Sequence, residues 1–395
     1  MLSLPLPRSF PRDFWLYLGS AAATAVADAV LFVALPFVVL GAHAGRVGLG
    51  TVLLAASAPR FLAPLLGTLA DRLPGRTVLI VTALLRTLLL AAVAWLVLSG
   101  RAQLPALAAF AFLNGCLVTL GFTAGSALVP QLVPEAQRPQ ANSLSSAALM
   151  GLPLIGYGVG GVLIHLLGSA QTLLTSVPVY LLGLLLVTLL PARPAAQSGA
   201  ARGFWHDLRG GLLVVRAQPL LLVMIFLSFT MNLTLNVVNV RAPLFMQQVG
   251  AGAAGYALFE GLSAAGALVG ALAVGVLSTR FSTETLINLG RVLCVLAVLG
   301  FAIAQPVVWF VTAGLLGLSL GVLEVAAVTR AQGLVAAGTL GRVMGVFMGL
   351  NALGLSLGAV MGSWPLASPA LFILLAALLG ALGLLWNRAV RLSRD

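Results

Sequence analysis

The chain has 395 residues, of which 61% are hydrophobic and only 8% charged, and its mean hydropathy is +1.11. A soluble domain carries roughly a quarter charged residues, so this composition excludes a largely water-facing surface and predicts a protein whose solvent is lipid. The net charge of +12 comes from 21 arginines, with no lysine. These arginines are scattered singly between apolar runs and form no basic stripe, so we expect no nucleic-acid partner.

Twelve apolar runs predict an all-α membrane protein, because a membrane-spanning helix needs about 20 mostly apolar residues. The runs, predicted helices 1 to 12, fall near residues 14–40, 47–70, 77–99, 104–128, 142–168, 172–191, 219–247, 253–279, 283–304, 306–330, 342–365 and 368–388. A polar stretch separates two groups of six. We predict a six-helix bundle over residues 1–191, a cytoplasmic linker over 192–218 and a second bundle over 219–395. The linker pattern is typical of an amphipathic surface helix or, equally, of a plain connection.

The arginines predict the orientation in the membrane. Fifteen lie in the termini and loops on the side of the N-terminus, whereas only Arg46 and Arg101 lie in loops on the opposite side. Basic residues accumulate in cytoplasmic loops. The sequence therefore predicts a multi-pass protein of the cell inner membrane, with both termini and the linker in the cytoplasm.

The two halves of the chain repeat each other. Residues 67–72, at the end of predicted helix 2, share the pattern Gly-x-Leu-x-x-Arg with residues 275–280, at the end of predicted helix 8. Arg86 in helix 3 has a counterpart in Arg291 of helix 9. Parallel repeats related by an axis along the membrane normal are typical of secondary transporters.

The loop between helices 2 and 3 carries a recognisable motif. Its residues are Gly67-x-Leu69-Ala70-Asp71-Arg72-x-Pro74-Gly75-Arg76. This motif resembles the loop 2–3 signature of the major facilitator superfamily. Residues 132–135, 141–144 and 341–345 are similar to the macrolide-efflux and siderophore-exporter branch of drug–proton antiporters. The chain departs from many such antiporters in helix 5, where Tyr157 replaces a proline, and in helix 4, which lacks an arginine.

The resemblance implies twelve transmembrane helices in two pseudo-symmetric six-helix bundles. It also implies a gating role for the loop motif. The gating candidates are Gly67, Asp71, Arg72, Gly75 and Arg76. Asp71 is expected to face the positive N-terminus of helix 11, near Arg342, as a latch that alternating access breaks.

Charged residues within the predicted helices form a second group of candidates. A charged side chain at mid-bilayer costs roughly 2.5–3.5 kcal/mol, so such residues usually face a cavity and have a partner. The candidate proton-coupling network is Asp28, Arg60, Arg86, Glu260, Arg291 and Glu324. Asp28, near the middle of helix 1, is the leading candidate for the proton carrier, and Glu324, in the inner third of helix 10, is the runner-up. Arg291 and Glu324 lie at similar depth and are expected to pair. The alternative is that these charges only neutralise each other.

Helix 7 carries a polar stripe. Asn232, Asn236 and Asn239 recur at the spacing i, i+4, i+7, which places them on one face of a helix. Amides in hydrocarbon need partners or water. The stripe indicates either a substrate-binding cavity wall or hydrogen bonds between helices. With Asn114 of helix 4 and Tyr157 of helix 5, it completes the predicted substrate cavity.

These patterns favour a secondary transporter that exports a hydrophobic or amphipathic small molecule in exchange for protons. His43, His165 and His206 are isolated, Cys116 and Cys294 lie in apolar runs, and no Gly-x-x-x-x-Gly-Lys nucleotide loop is present. We therefore expect no enzymatic activity, cofactor or metal site. The expected partners are the substrate, protons and lipid, and the expected state is a monomer. A lipid or lysolipid flippase and a nutrient importer remain alternatives, and a membrane enzyme or sensor is a remote one.

Overall fold

The protein is described by a computed structural model over residues 10–63, 66–67, 73–192, 204–335 and 337–392. One helix corresponds to each predicted span, and we number these helices α1 to α12. They are α1 Arg12–Gly41, α2 Gly45–Ser57, α3 Gly75–Leu98, α4 Leu104–Leu132, α5 Arg138–Leu167, α6 Ser169–Thr188, α7 Pro219–Gln248, α8 Gly252–Leu277, α9 Thr283–Gly300, α10 Pro306–Leu334, α11 Ala337–Ser363 and α12 Ser368–Leu392. A further helix, Phe204–Ala217, lies between α6 and α7 and is called the linker helix.

Eleven of the described helices are long and apolar enough to cross a membrane. Besides the short linker helix, the exception is α2, which has 13 residues and continues as a 3-10 helix, Ala58–Leu62. Pro59 lies at this change, and a proline has no backbone N–H with which to continue the α-helical hydrogen-bond ladder. The all-α fold with one helix for each predicted span is confirmed.

The helices pack as two bundles with the same internal arrangement. In the first bundle α1 contacts α5 and α6, α3 contacts α4 and α6, and α2 contacts α4. In the second bundle α7 contacts α11 and α12, α9 contacts α10 and α12, and α8 contacts α10. Adding six to each helix number of the first set gives the second set. This correspondence is the pseudo-two-fold repeat that the sequence predicted.

The bundles meet through α2 with α11 and α5 with α8, two interfaces that the same symmetry relates. We call the end with the α1–α2 turn the outer end and the opposite end the inner end. Near the outer end a Cβ on Gly50 would come 2.6 Å from the Cβ of Ser363, and Gly161 packs against Ala257. Further inward, the hydroxyls of Ser57 and Ser356 are 3.2 Å apart. The described contacts between bundles therefore close the outer half of the molecule.

Glycines bring α8 and α10 close together. Gly266 and Gly270 of α8 face backbone atoms of α10, and Gly317 and Gly321 of α10 face backbone atoms of α8. A Cβ on any of these four would overlap the opposite backbone. Small residues permit such close approach of membrane helices, where packing rather than hydrophobic exclusion drives association. In the equivalent pair of the first bundle, α2 with α4, the described residues include one such glycine, Gly115.

Candidate functional site

A cavity of about 500 Å³ lies between the two bundles, with walls formed by α1, α2, α4, α5, α7, α8 and α11. The walls on α1, α2 and α4 are mostly aliphatic and aromatic, whereas α7 and α8 contribute amides, a tyrosine and a carboxyl group. The cavity brings together these predicted site residues: Asp28, Arg60, Asn114, Tyr157, Asn232, Asn236, Asn239 and Glu260. One apolar side and one polar side suit an amphipathic molecule.

Asp28 forms the centre of a buried polar cluster in the first bundle. It makes an ion pair with Arg86 and accepts a hydrogen bond from the Tyr180 hydroxyl. The Arg86 side chain is 6% exposed and that of Asp28 is 36% exposed. Arg86 also donates through Nε to Oδ1 of Asn114 at 3.0 Å and through Nη2 to the Tyr180 hydroxyl at 2.9 Å. The cluster thus satisfies a guanidinium that hydrocarbon alone could not stabilise.

A second cavity, of about 400 Å³, reaches the same ion pair from within the first bundle. Both Asp28 and Val118 line it as well as the central cavity. Hydroxyl and amide groups line much of its remaining wall: Tyr17, Ser20, Thr24, Thr82, Ser126, Asn142, Ser145, Ser146 and Tyr180. Asp28 therefore lies between two cavities.

The asparagine stripe of α7 serves the cavity and the helix contact together. All three asparagines line the cavity. Asn236 donates through Nδ2 to the backbone oxygen of Leu355 in α11 at 2.8 Å, and Asn239 donates to Oδ1 of Asn236 at 3.1 Å. Asn232 donates only within its own helix, to the backbone oxygen of Ser228 at 2.9 Å. The stripe therefore lines the cavity and also makes a hydrogen bond between α7 and α11.

Glu260 lies in the outer half of α8, in the wall of the central cavity. Its side chain is 8% exposed, and its Oε1 has no hydrogen-bond partner among the residues that the structure describes. Tyr256, one turn earlier, and Tyr157 of α5 are close enough to interact electrostatically with its carboxyl group. The sequence placed Tyr256 on the same face, but it did not predict that Tyr157 would come from the other bundle.

The predicted pairing of Arg291 with Glu324 is wrong. Arg291 donates through Nη2 to Oδ1 of Asn288 at 2.9 Å, and its guanidinium lies against Gly383 of α12. Glu324 is exposed on α10. Arg291 and Glu324 lie at similar depth on neighbouring helices, but they do not pair because the Arg291 side chain points towards α12.

The gating motif is described only in part. Asp71 and Arg72 lie outside the described residues. Gly67 and Gly75 have no close contact that would exclude a side chain. Arg76 donates through Nη2 to the backbone oxygen of Thr188 at 2.7 Å, and so binds a free carbonyl at the C-terminal end of α6.

Two arginines, one from each bundle, bind the turn between α11 and α12 at the outer end. Arg241 of α7 donates to the backbone oxygens of Gly362, Trp364 and Leu366 and to the Ser368 hydroxyl. Arg46, next to the start of α2 in the first bundle, donates to the same Trp364 oxygen at 2.9 Å. The turn between α11 and α12 is thereby fastened to both bundles.

Sequence reasoning missed Tyr180 and the turn at Trp364. Tyr180 had a usable signal, since a tyrosine deep in an apolar run carries a hydroxyl that needs a partner when buried. The turn had none, because its ligands are backbone oxygens that no side-chain pattern reveals.

A sequence model of the family described as the Major Facilitator Superfamily matches residues 17–359. The chain belongs to the Major Facilitator Superfamily. It is therefore a member of a transporter family rather than an enzyme family. No curated protein sequence matches the chain.

Solved structures share the fold. The crystal structure of the nucleoside transporter NupG superposes with a TM-score of 0.78 at 13% identity, covering 96% of this chain and 99% of that one. A bacterial homolog of the human lysosomal transporter Spinster, in an inward-facing and unoccupied conformation, superposes with a TM-score of 0.66 at 13% identity, covering 96% of each chain. These similarities support the superfamily fold, but they do not support membership of the macrolide-efflux or siderophore-exporter branch in particular.

Proposed function

We propose that this superfamily transporter exports an amphipathic small molecule in exchange for protons. The observation that carries the proposal is the central cavity, which has an apolar side on α1, α2 and α4 and a polar side on α7 and α8. Such a cavity binds a molecule that has one apolar and one polar face. Closure of the outer half supports an inward-facing state, in which an exporter collects its substrate.

Asp28 is the proton carrier in this proposal. It contacts both cavities, so the same carboxyl group faces the substrate in the central cavity and also faces the second cavity. Protonation of Asp28 would remove its charge and weaken the ion pair with Arg86. Arg86 would keep Asn114 and Tyr180 as partners. The bundle could therefore survive both states of the carboxyl group, as an exchange cycle requires.

Import of a polar nutrient is the second candidate. Two observations support import. The fold is similar to that of a nucleoside transporter, and amides of α7 lie in the cavity wall. The directions of the two candidates are opposite. The test is uptake of a panel of amphipathic compounds and of nucleosides into inverted membrane vesicles, with and without an imposed proton gradient. Gradient-dependent accumulation of an amphipathic compound supports export. Gradient-dependent depletion of a nucleoside from preloaded vesicles would contradict export and support import.

The proposed location is the cell inner membrane, with a monomer whose termini and linker face the cytoplasm. The arginine asymmetry supports this orientation. An impermeant maleimide should label a single cysteine near Arg101 in intact cells, whereas a single cysteine at position 200 should be labelled only in inverted vesicles. Labelling of position 200 from outside would overturn the orientation.

A further inference from the structure

Glu260 is a cavity acid without a basic partner in the described structure. The other acid that lines the central cavity, Asp28, is paired with Arg86. Glu260 is 8% exposed, and its Oε1 accepts no hydrogen bond from the described residues. A buried acceptor without a partner is costly. The Tyr256 hydroxyl reaches the carboxyl group, so Oε1 is the atom left to receive a group from a bound molecule.

Two tyrosine side chains lie beside this carboxyl group, and two phenylalanine rings pack against them. Tyr157 and Tyr256 both interact with it electrostatically, and both line the cavity. Phe32 of α1 lies 6.0 Å from the Tyr157 ring, and Phe37 lies 6.0 Å from the Tyr256 ring, measured between centroids. The rings thus come from α1, α5 and α8, on both sides of the bundle interface. A carboxylate beside aromatic faces is the arrangement that recognises organic ammonium groups.

The basic groups of the cavity lie elsewhere. Arg86 is bound to Asp28. Arg60 lines the cavity but lies seven residues further along its helix from the outer end than Glu260 does along α8, which corresponds to about 10 Å of depth. The outer part of the described cavity lining therefore holds a carboxyl group and no arginine, because Arg241 and Arg46 lie outside the lining and are bound to backbone oxygens of the α11–α12 turn.

We propose that Glu260, with the rings of Tyr157 and Tyr256, forms a subsite for the cationic head group of the transported molecule. The substrate class is then amphipathic organic cations, such as hydrophobic amines, with the apolar part against α1, α2 and α4. This assignment deepens the proposed function and rests on it for the act of transport. Binding itself is testable without transport.

The test uses the purified full chain in detergent and measures the affinity of tetraphenylphosphonium. Glu260→Gln should weaken binding at least about tenfold, because an ion pair in a desolvated site is replaced by a neutral amide. Glu260→Asp, which keeps the charge, should stay closer to the parent. Glu135→Gln removes an exposed acid that is not among the residues lining the cavity, and it should leave the affinity unchanged.

Tetraphenylborate, an anion of the same size and shape, separates charge from cavity shape. Its binding should not weaken in Glu260→Gln. Unchanged tetraphenylphosphonium affinity in Glu260→Gln overturns the subsite, as does a parallel loss of both ions. If vesicles transport neutral compounds while the cation never binds, the proposed function stands and this inference fails. If the cation binds through Glu260 but vesicles accumulate nothing, the proposed function fails and the subsite stands.

Discussion

Arg86 and Arg291 lie on corresponding helices, α3 and α9, and both are almost completely buried. Arg86 has a carboxylate, an amide and a hydroxyl from three other helices as partners. Arg291 has one amide from its own helix, and its Nε has no partner among the described residues. Tyr180 of α6 covers the first arginine, whereas Gly383 of the corresponding helix α12 leaves room for the second.

The difference shows that a shared backbone plan does not impose shared chemistry. The first bundle holds a titratable ion pair in contact with two cavities, and the second bundle holds its helices together through glycines between α8 and α10. We infer that the first bundle carries the proton chemistry. The second bundle then supplies closely packed helices and the polar cavity wall.

Among the proposed substitutions, Asp28→Asn should have the largest effect, because it tests whether the first bundle carries the proton. Asparagine resembles the protonated acid and cannot release a proton, so gradient-driven accumulation in inverted vesicles should be lost completely. Binding of substrate to purified protein should persist. Glu135→Gln is the control, because Glu135 is an exposed acid not among the residues lining either cavity. Uphill accumulation by the Asp28 variant would assign proton coupling to another residue.

Arg86→Met and Arg291→Met should lower the stability of the folded protein by different amounts. Arg86→Met leaves the Asp28 carboxylate without its cation and should cost about 2–4 kcal/mol, a value reduced by the partial exposure of Asp28. Arg291→Met should cost less than about 1 kcal/mol, since its guanidinium is incompletely satisfied. Melting temperatures of the purified proteins in detergent measure both. Equal losses of stability in the two variants would mean that the two arginines contribute equally to the folded state.

Replacing Gly270 with Ala should disturb the glycine contact of α8 with α10. Its new Cβ would overlap the backbone oxygen of Leu318, so we expect a loss of about 1–3 kcal/mol. Gly275→Ala in the same helix meets nothing within 4 Å and should be neutral or slightly stabilising. The same melting experiment decides, and a tolerated Gly270→Ala would show that the close approach is not needed.

The smallest effects should come from the α7 stripe. Asn236→Ala removes a hydrogen bond to α11 and should lower stability by about 0.5–2 kcal/mol. Asn232→Ala removes an amide that bonds only within its helix, so it should alter substrate affinity a few-fold with little change in melting temperature. If Asn232→Ala leaves the profile across a substrate panel unchanged, the stripe serves helix packing alone.

Much of the fold could be predicted because hydrocarbon imposes one rule on every span. Each segment must satisfy its own backbone hydrogen bonds, so long apolar runs become helices whatever surrounds them. The repeat and the loop motif then indicated two matching bundles. The predictions that failed or were missed concern side chains. Arg291 and Glu324 have equal depth but different directions, and depth is readable from a sequence whereas direction is not.

The sequence by itself determined the number of helices, their order, the internal repeat and the presence of charges inside the membrane. Only the tertiary structure decided which charges meet. It paired Asp28 with Arg86 under Tyr180, joined Arg46 and Arg241 at one backbone oxygen, and left the Oε1 of Glu260 without a partner in the described residues. The physical reason is one of range. Hydrophobicity acts on each segment separately, whereas an ion pair or hydrogen bond forms only when packing brings two distant residues within about 3 Å.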